Sequence, residues 1–207
     1  MTQSIIARPA LSEDRDKLVE AFQAGCRDEA VFAWAGGDNT DFIDRHMENR
    51  VPTYLDGALE RDEIWIAGDD HEIWTVAICT VVHDTERLEA EAVETESAAR
   101  ETGLHPLHRF AAATRLVADS HPRRFPHLYL NSIVTDSAHR GKGAGRTLLR
   151  RLTEWADGRN LPQYLEASTT QSARLYGRMG FTATGKRLPL PDSGPVLIPM
   201  WRDVGQA

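Results

Sequence analysis

The sequence contains little that points to a membrane, to disulfide bonds or to a metal. It has two cysteines, Cys26 and Cys79, and because they are far apart we expect reduced, buried thiols rather than a disulfide or a metal site. No apolar run reaches the roughly 18 residues that a membrane-spanning helix needs. The first residues lack the pattern of a signal peptide. We therefore expect a cytoplasmic protein with no metal and no membrane partner.

Positive charge is also scarce. The chain has 24 Lys and Arg against 31 Asp and Glu, a formal net charge of −7, so it offers no basic stripe to a nucleic-acid backbone. An acidic protein more readily attracts a cationic ligand such as an amine. The 207 residues and 41% hydrophobic content fit a single domain over residues 1–207. The sequence does not determine the oligomeric state, and a homodimer is compatible with it.

The most informative stretch is residues 128–158. Residues 128–134 form a short apolar run that predicts a buried strand, and residues 147–156 carry apolar side chains at helical spacing. Between them, residues 141–145 contain three glycines at alternate positions, which let the backbone turn tightly and a ligand come close. Strand, glycine turn and helix start together predict a site for phosphate or pyrophosphate.

Three kinds of glycine-rich loop compete for this stretch. The spacing of a Walker A loop is absent. A dinucleotide-binding loop would need glycine where Arg146 stands, although Glu166 lies at about the required 20 residues further on. The third kind fits: residues 140–145 read Arg-Gly-Lys-Gly-Ala-Gly. This pattern resembles the acyl-CoA loop of the GNAT N-acetyltransferase superfamily.

The residues downstream strengthen the resemblance. Residues 161–168 predict another strand, and residues 172–179 predict a short helix that Gly180 ends. In GNAT enzymes a helix ending in Tyr-x-x-x-Gly-Phe follows the fifth strand, and residues 176–181 match it. Looser matches at residues 63–70, 165–168 and 188–202 resemble the puromycin N-acetyltransferase-like branch.

The resemblance implies an α/β (α+β) GNAT fold, with a mixed, mainly antiparallel twisted sheet flanked by helices and an acetyl-CoA core at about 127–185. In that fold the backbones of Ile133, Val134 and Thr135 would pair with the pantetheine arm of acetyl-CoA. The pyrophosphate would lie on the turn and helix start, with added charge from Arg140 and Lys142. Thr169 stands where the family often has a cofactor-binding asparagine. The implied cofactor-binding set is Ile133, Val134, Thr135, Arg140, Gly141, Lys142, Gly143, Ala144, Gly145, Arg146, Thr169 and Ala173.

Two residues are candidates for proton transfer. By resemblance Tyr176 would donate a proton to the leaving thiolate, and a phenol with a pKa of about 10 is protonated at neutral pH. The alternative is a buried residue that packs beside Phe181. Glu166 is a carboxylate in a central strand, which is costly unless it is paired or useful. It could therefore be the base or a member of a structural salt bridge. Asn131 could orient a substrate or satisfy buried polar groups.

The rest of the chain predicts the remaining elements. Residues 63–82 predict a hairpin, residues 33–39 a loop, and residues 40–59 a helix that Pro52 breaks or kinks. The acidic helix at 85–100 is either a solvated face or a negatively charged surface for a cationic substrate. Further predictions are a helix at 108–118, strands at 182–188 and 196–201, and either pocket lining or core packing for Trp34, Phe42 and His46.

The resemblance thus predicts acetyl transfer from acetyl-CoA to a primary amine of a small molecule. Two alternatives stay open. The acceptor could instead be a protein N-terminus or lysine, or the chain could be a regulatory domain that binds acyl-CoA without turnover.

Overall fold

Strands and helices alternate along the chain around one large sheet. The structure, a computed structural model, describes residues 4–206. The strands are β1 (Ile6–Pro9), β2 (Glu63–Gly68), β3 (Ile73–Val82), β4 (His127–Thr135), β5 (Gln163–Ala167), β6 (Thr182–Ala183), β7 (Leu188–Pro189) and β8 (Val196–Arg202). The helices are α1 (Arg15–Cys26), α2 (Ala30–Gly36), α3 (Thr40–Arg45), α4 (Val51–Arg61), α5 (Glu86–Thr102), α6 (His105–Ser120), α7 (Ala144–Asp157) and α8 (Thr170–Gly177). A π turn, His46–Arg50, joins α3 to α4.

The sheet runs in the order β1-β2-β3-β4-β5-β8-β6, and β7 pairs with β8. All of these pairs are antiparallel except β4 with β5. The parallel pair is short, because only Leu128 with Gln163 and Tyr129 with Tyr164 are in register. Beyond these residues β4 and β5 separate, which leaves an opening in the centre of the sheet. The predicted mixed, mainly antiparallel sheet flanked by helices is confirmed.

Two hydrophobic clusters cover the two faces of the sheet. On β3, Ala77 and Cys79 face the cluster that contains Leu148 and Leu152 of α7. Val76 and Ile78, offset by one residue, face the cluster of α1 and α4. This alternation follows from the two-residue period of a strand. At Gly25 of α1 an added Cβ would come within 2.9 Å of the Val134 Cβ, so glycine allows α1 to lie close on β4.

Helices α5 and α6 form a helical hairpin between β3 and β4, two strands that are neighbours in the sheet. The hairpin turns at Gly103, whose φ of 65° ends α5. Arg115 of α6 holds the hairpin together by donating to Glu96 at 2.8 Å and to Glu89 at 2.7 Å. The chain therefore leaves the sheet for two helices and returns to the adjacent strand.

Three predictions of local structure need correction. The loop predicted at 33–39 is wrong for most of its length, because α2 runs to Gly36 and the Glu29 side chain caps it by accepting from two N–H groups. The helix predicted at 40–59 begins at Thr40 but contains the π turn and reaches Arg61. Pro52 lies in the first turn of α4, directly after the π turn, so its missing N–H falls where the hydrogen-bond spacing of the helix changes. The strand predicted at 182–188 is reduced to β6 and the first residue of β7.

No helix within residues 4–206 is long and apolar enough to cross a membrane.

Candidate active site

A cleft of about 680 Å³ opens where β4 and β5 separate. Strand β4 forms its floor, and α1, α2, the π turn, the α5–α6 hairpin and α8 surround it. Its lining includes Phe22, Cys26, Glu29, Phe32, His46, Arg50, Tyr54, Glu91, Glu94, Phe110, Asn131, Ser132, Ile133, Val134, Glu166, Ser168 and Tyr176. Both residues predicted for proton transfer thus face the same cavity.

A β-bulge shapes the floor of the cleft. Ile78 is opposite Ser132 and Cys79 is opposite Leu130, so Asn131 is the extra residue on β4. Its side chain is exposed and lines the cleft. A bulge leaves its extra residue outside the hydrogen-bonded ladder and bends the strand. Asn131 can therefore present polar groups to a ligand in the opening between the strands.

The glycine turn is built to accept an anion. Gly141 and Gly143 have φ of 78° and 95°, in the left-handed region that favours glycine, and Gly143 is the N-cap of α7. The first bond of α7 runs from the Thr147 N–H to the Gly143 carbonyl at 3.0 Å. The preceding N–H groups of Ala144, Gly145 and Arg146 therefore have no acceptor in the helix. They point outward at the positive end of the helix dipole, which is the arrangement that a phosphate requires.

The two cations of the turn have different surroundings. The Arg140 guanidinium donates to both carboxylate oxygens of Asp28, at 2.6 and 2.5 Å, and to the Thr135 carbonyl at 3.1 Å. This bond lowers the pKa of the Asp28 carboxyl, so the pair stays ionised at neutral pH. The Lys142 ammonium lies 5.4 Å from the centre of the Trp74 ring and makes no salt bridge within residues 4–206. Arg140 thus fixes the turn to the α1–α2 connection, whereas Lys142 keeps its charge available.

Glu166 is a buried carboxylate with one free oxygen. The Tyr129 hydroxyl donates to Glu166 Oε2 at 2.8 Å, and Glu166 Oε1 is buried without a hydrogen-bond partner within the described chain. Burial raises the pKa of Glu166 to about 7, and the hydroxyls of Tyr164 and Tyr129, which favour the ionised form, limit the rise. A carboxylate whose pKa is close to neutral can accept a proton and release it again.

Tyr176 lies on α8 with 6% of its surface exposed, and its ring centre is 6.0 Å from that of Phe181. Burial, followed by the negative charge of Glu29, raises the pKa of the phenol above its ordinary value of 10. The hydroxyl is therefore protonated at neutral pH. The two predicted roles of Tyr176, packing beside Phe181 and offering a proton to the cleft, are compatible in this geometry.

Thr169 and Ala173 begin α8. The Thr169 hydroxyl accepts the Ser172 N–H at 3.0 Å and lies 2.9 Å from the Ser172 hydroxyl, so it caps the helix. Ala173 is half-buried against the core. The Thr169 hydroxyl is thus engaged in capping α8.

The sequence predicted least about the part of the cleft that α2, the π turn and α6 surround. Of the three candidates for its lining, His46 lines the cleft, Phe42 packs behind His46, and Trp34 lies under the Arg109 guanidinium at 5.4 Å. The sequence did not single out Phe32, Phe110 or Tyr129 as lining residues. The strand of Tyr129 and the helix of Phe110 were predicted, but α2, which carries Phe32, was not. The way the hairpin folds over the sheet has no local sequence signal.

Among the described residues, no group of three or more His, Cys, Asp or Glu could hold a metal ion.

Comparison with known proteins identifies the family. The model of the Acetyltransferase (GNAT) family matches residues 29–181, and the chain belongs to this family. It is thus a GNAT-family N-acetyltransferase, as the sequence predicted.

Solved structures share its fold. The "histone acetyltransferase HPA2 and related acetyltransferase" of Corynebacterium glutamicum superposes with a TM-score of 0.62 at 24% identity, covering 99% of this chain and 98% of that one. Arylalkylamine N-acetyltransferase 2 of Aedes aegypti gives 0.72 at 15% identity, with coverage of 98% and 100%. The PaiA N-acetyltransferase of Thermoplasma acidophilum, solved in complex with coenzyme A, gives 0.60 at 12% identity, with coverage of 97% and 99%. At these identities the likeness shows the fold.

Proposed function

We propose that the protein transfers the acetyl group of acetyl-CoA to a primary amine of a small molecule. The observation that carries the proposal is that Glu166, Tyr176 and the edge of β4 line one cavity. In the chain, β4 leads through a short turn to the glycine turn and the anion-accepting start of α7. Acetyl transfer requires these parts together: a phosphate site, an extended edge, a base and an acid.

The donor side would use the backbone. After Tyr129 the edge of β4 that faces β5 has no strand partner, so the groups of Ile133, Val134 and Thr135 are available to the amides of the pantetheine arm. The pyrophosphate would accept from the N–H groups of the turn and of the first turn of α7, with Lys142 adding charge. Arg140 would act from its position beside Asp28. The proposed cofactor-binding residues are Ile133, Val134, Thr135, Arg140, Gly141, Lys142, Gly143, Ala144, Gly145, Arg146, Thr169 and Ala173.

The chemistry follows from the two side chains in the cleft. Glu166 accepts a proton from the ammonium group, so that the nitrogen lone pair can attack the thioester carbonyl and form the C–N bond. A backbone N–H near Val134 donates to the oxyanion that develops. As the C–S bond breaks, Tyr176 donates its proton to the sulfur. The acetylated nitrogen then loses its surplus proton to the Tyr176 phenolate, which restores the hydroxyl. The products are an acetamide, coenzyme A with a free thiol, and the proton that Glu166 holds.

Thiol release from acetyl-CoA, measured with a panel of small amines and short peptides, tests the proposal. Turnover with small amines supports it. Turnover with peptides alone would assign a protein acceptor, and heat of coenzyme A binding without turnover would assign a regulatory domain. Absence of coenzyme A binding in calorimetry at millimolar concentration would refute the donor site itself.

Four further statements are predictions at this stage: a single domain over residues 1–207 with the acetyl-CoA core at about 127–185, the puromycin N-acetyltransferase-like branch, a cytoplasmic location and a homodimer. Puromycin in the amine panel tests the second.

A further inference from the structure

Three aromatic rings meet at the end of the cleft that α2, the π turn and α6 surround, and we call them the aromatic cluster. Phe32 of α2, His46 of the π turn and Phe110 of α6 have ring centres 5.4 to 5.6 Å apart. His46 and Phe110 are stacked at an interplanar angle of 11°. Rings bind one another at these separations, edge to face or offset, so the cluster is suited to a further ring.

The cluster also faces the cavity. All three residues line the cleft, and His46 and Phe110 are half-buried, whereas Phe42, which packs on both from behind, is buried and does not line it. His46 reaches the cleft from the π turn. Such turns are rare in proteins as a whole, and those that occur are often found at functional sites. Part of the aromatic surface is therefore open to a ligand.

The acidic helix α5 offers few free carboxylates to an acceptor that carries a second ammonium group, such as a diamine. Glu89 and Glu96 are paired with Arg115, and Glu91 accepts from Arg87 at 2.9 Å. Of the glutamates on α5 that line the cleft, Glu94 alone makes no salt bridge within residues 4–206, and it is exposed. One exposed carboxylate contributes little to binding.

The charges beside the aromatic cluster are of both signs. Arg50, the last residue of the π turn, lines the cleft near His46 and is exposed, as Glu94 is. Glu29, whose carboxylate accepts from the Phe32 N–H, also lines the cleft. Burial, and then the charge of Arg50, lowers the pKa of His46, so the ring is neutral at neutral pH. A second ammonium group placed on the aromatic cluster would therefore leave water for an apolar surface without a dedicated ionic partner, which is unfavourable.

Building on the proposed function, we propose that the acceptor is a primary monoamine with an aromatic body, and that diamines are poor substrates. The ring of the acceptor packs on the aromatic cluster. Its amino group then points along the cleft to Glu166 and the thioester.

The test compares four acceptors in the thiol-release assay: phenethylamine, hexylamine, the diamine putrescine and a short peptide. We expect kcat/KM for phenethylamine to exceed that for hexylamine and putrescine by about fivefold, because an aromatic pair adds about one kcal/mol beyond burial. A higher kcat/KM for putrescine or for the peptide would overturn the inference and leave acetyl transfer intact. No thiol release with any of the four would overturn the proposed function itself.

Matched variants locate the effect. Phe110→Leu, which keeps apolar volume but removes a ring from the cleft, should lower kcat/KM about fivefold for phenethylamine and leave hexylamine nearly unchanged. Phe42→Leu, from the same group of rings but outside the cleft, is the control and should spare the preference. An equal loss for both amines in Phe110→Leu would overturn the inference, and thermal melting establishes that each variant is folded.

Discussion

Tyr129 donates a hydrogen bond of 2.8 Å to Glu166 Oε2 across the two strands that separate to form the cleft. Both residues lie at the point where the parallel pairing ends, since Tyr129 is the last β4 residue in register with β5. The bond fixes one carboxylate oxygen and leaves the other buried without a partner in the described chain. The bond thus holds the carboxylate that we propose as the base in one orientation.

The rate should respond to pH through this carboxylate. Because the pKa of Glu166 is raised to about 7, kcat/KM should fall as the pH drops below 7 and Glu166 becomes protonated. Tyr129→Phe removes a bond that favours the ionised form, so this limb of the pH profile should move to higher pH. Both proteins are measured with the same amine, so the ionisation of the substrate affects the two pH profiles equally. An unchanged profile in Tyr129→Phe and full activity in Glu166→Gln would exclude Glu166 as the base.

The free energy of unfolding should also depend on the ionisation of Glu166, but it should fall with rising pH where kcat/KM rises. The pKa of Glu166 rises from 4.5 to about 7 on folding, so between these values the folded state binds more protons than the unfolded state. The free energy of unfolding should therefore decrease as pH rises from 4.5 to 7. Glu166→Gln cannot ionise and should lack this decrease, which urea denaturation at the two pH values measures. Parallel pH dependence in the two proteins would contradict the raised pKa.

Tyr176→Phe should lower kcat about 100-fold, the lower range for loss of a general acid. Affinity for coenzyme A should stay nearly the same, because the substitution removes one oxygen and keeps the ring against Phe181. Steady-state kinetics measures the first quantity and calorimetry the second. An unchanged kcat would leave Tyr176 with its packing role alone.

Gly143→Ala should weaken coenzyme A binding about tenfold, because a Cβ at φ of 95° costs about 1–2 kcal/mol and shifts the start of α7. The control is Gly103→Ala, also at positive φ, with an open position for the Cβ and no part in the cleft. Both variants should lose similar stability, but only the first should lose affinity in calorimetry. Equal affinity for coenzyme A in the two variants would show that the glycine turn does not bind the pyrophosphate.

Asp157→Ala should destabilise the protein by about 3 kcal/mol, since it leaves a buried charge without its partner. Arg202 is 4% exposed and donates to both Asp157 oxygens at 2.7 and 2.8 Å. Arg202 also donates to the Met179 carbonyl, two residues after the end of α8, the helix that carries Tyr176. Urea denaturation measures the loss, and the exposed pair Arg27 with Asp44 is the control: Asp44→Ala should change stability by less than about 1 kcal/mol.

The local patterns of the chain predicted much of the fold. The alternating glycines and the Tyr-x-x-x-Gly-Phe segment each depend on a few adjacent residues, so they could be read directly. Glu166 was identified because a carboxylate in a central strand is unusual, but its partner Tyr129 is 37 residues away. Nothing local indicates which hydroxyl will lie opposite a buried acid.

Other features depended on contacts between distant segments. The bulge at Asn131 follows from the register of β3 on β4, and α2 from the cap that Glu29 provides beside two glycines that suggested a loop. The π turn shifts the register of one helix by a single residue, which hydrophobic spacing does not reveal. The acidic helix could be solvated or attract a cation, and the arginines that decide between these readings lie on α6 and within α5 itself.

The α5–α6 hairpin has an evolutionary consequence. Its two ends meet at neighbouring strands, so its length and side chains can vary while β3 and β4 stay paired. The residues that we propose to bind the coenzyme lie later in the chain. Exchange of this one insert would thus alter the side of the aromatic cluster that holds Phe110, while Phe32, His46 and the strands of the sheet are kept.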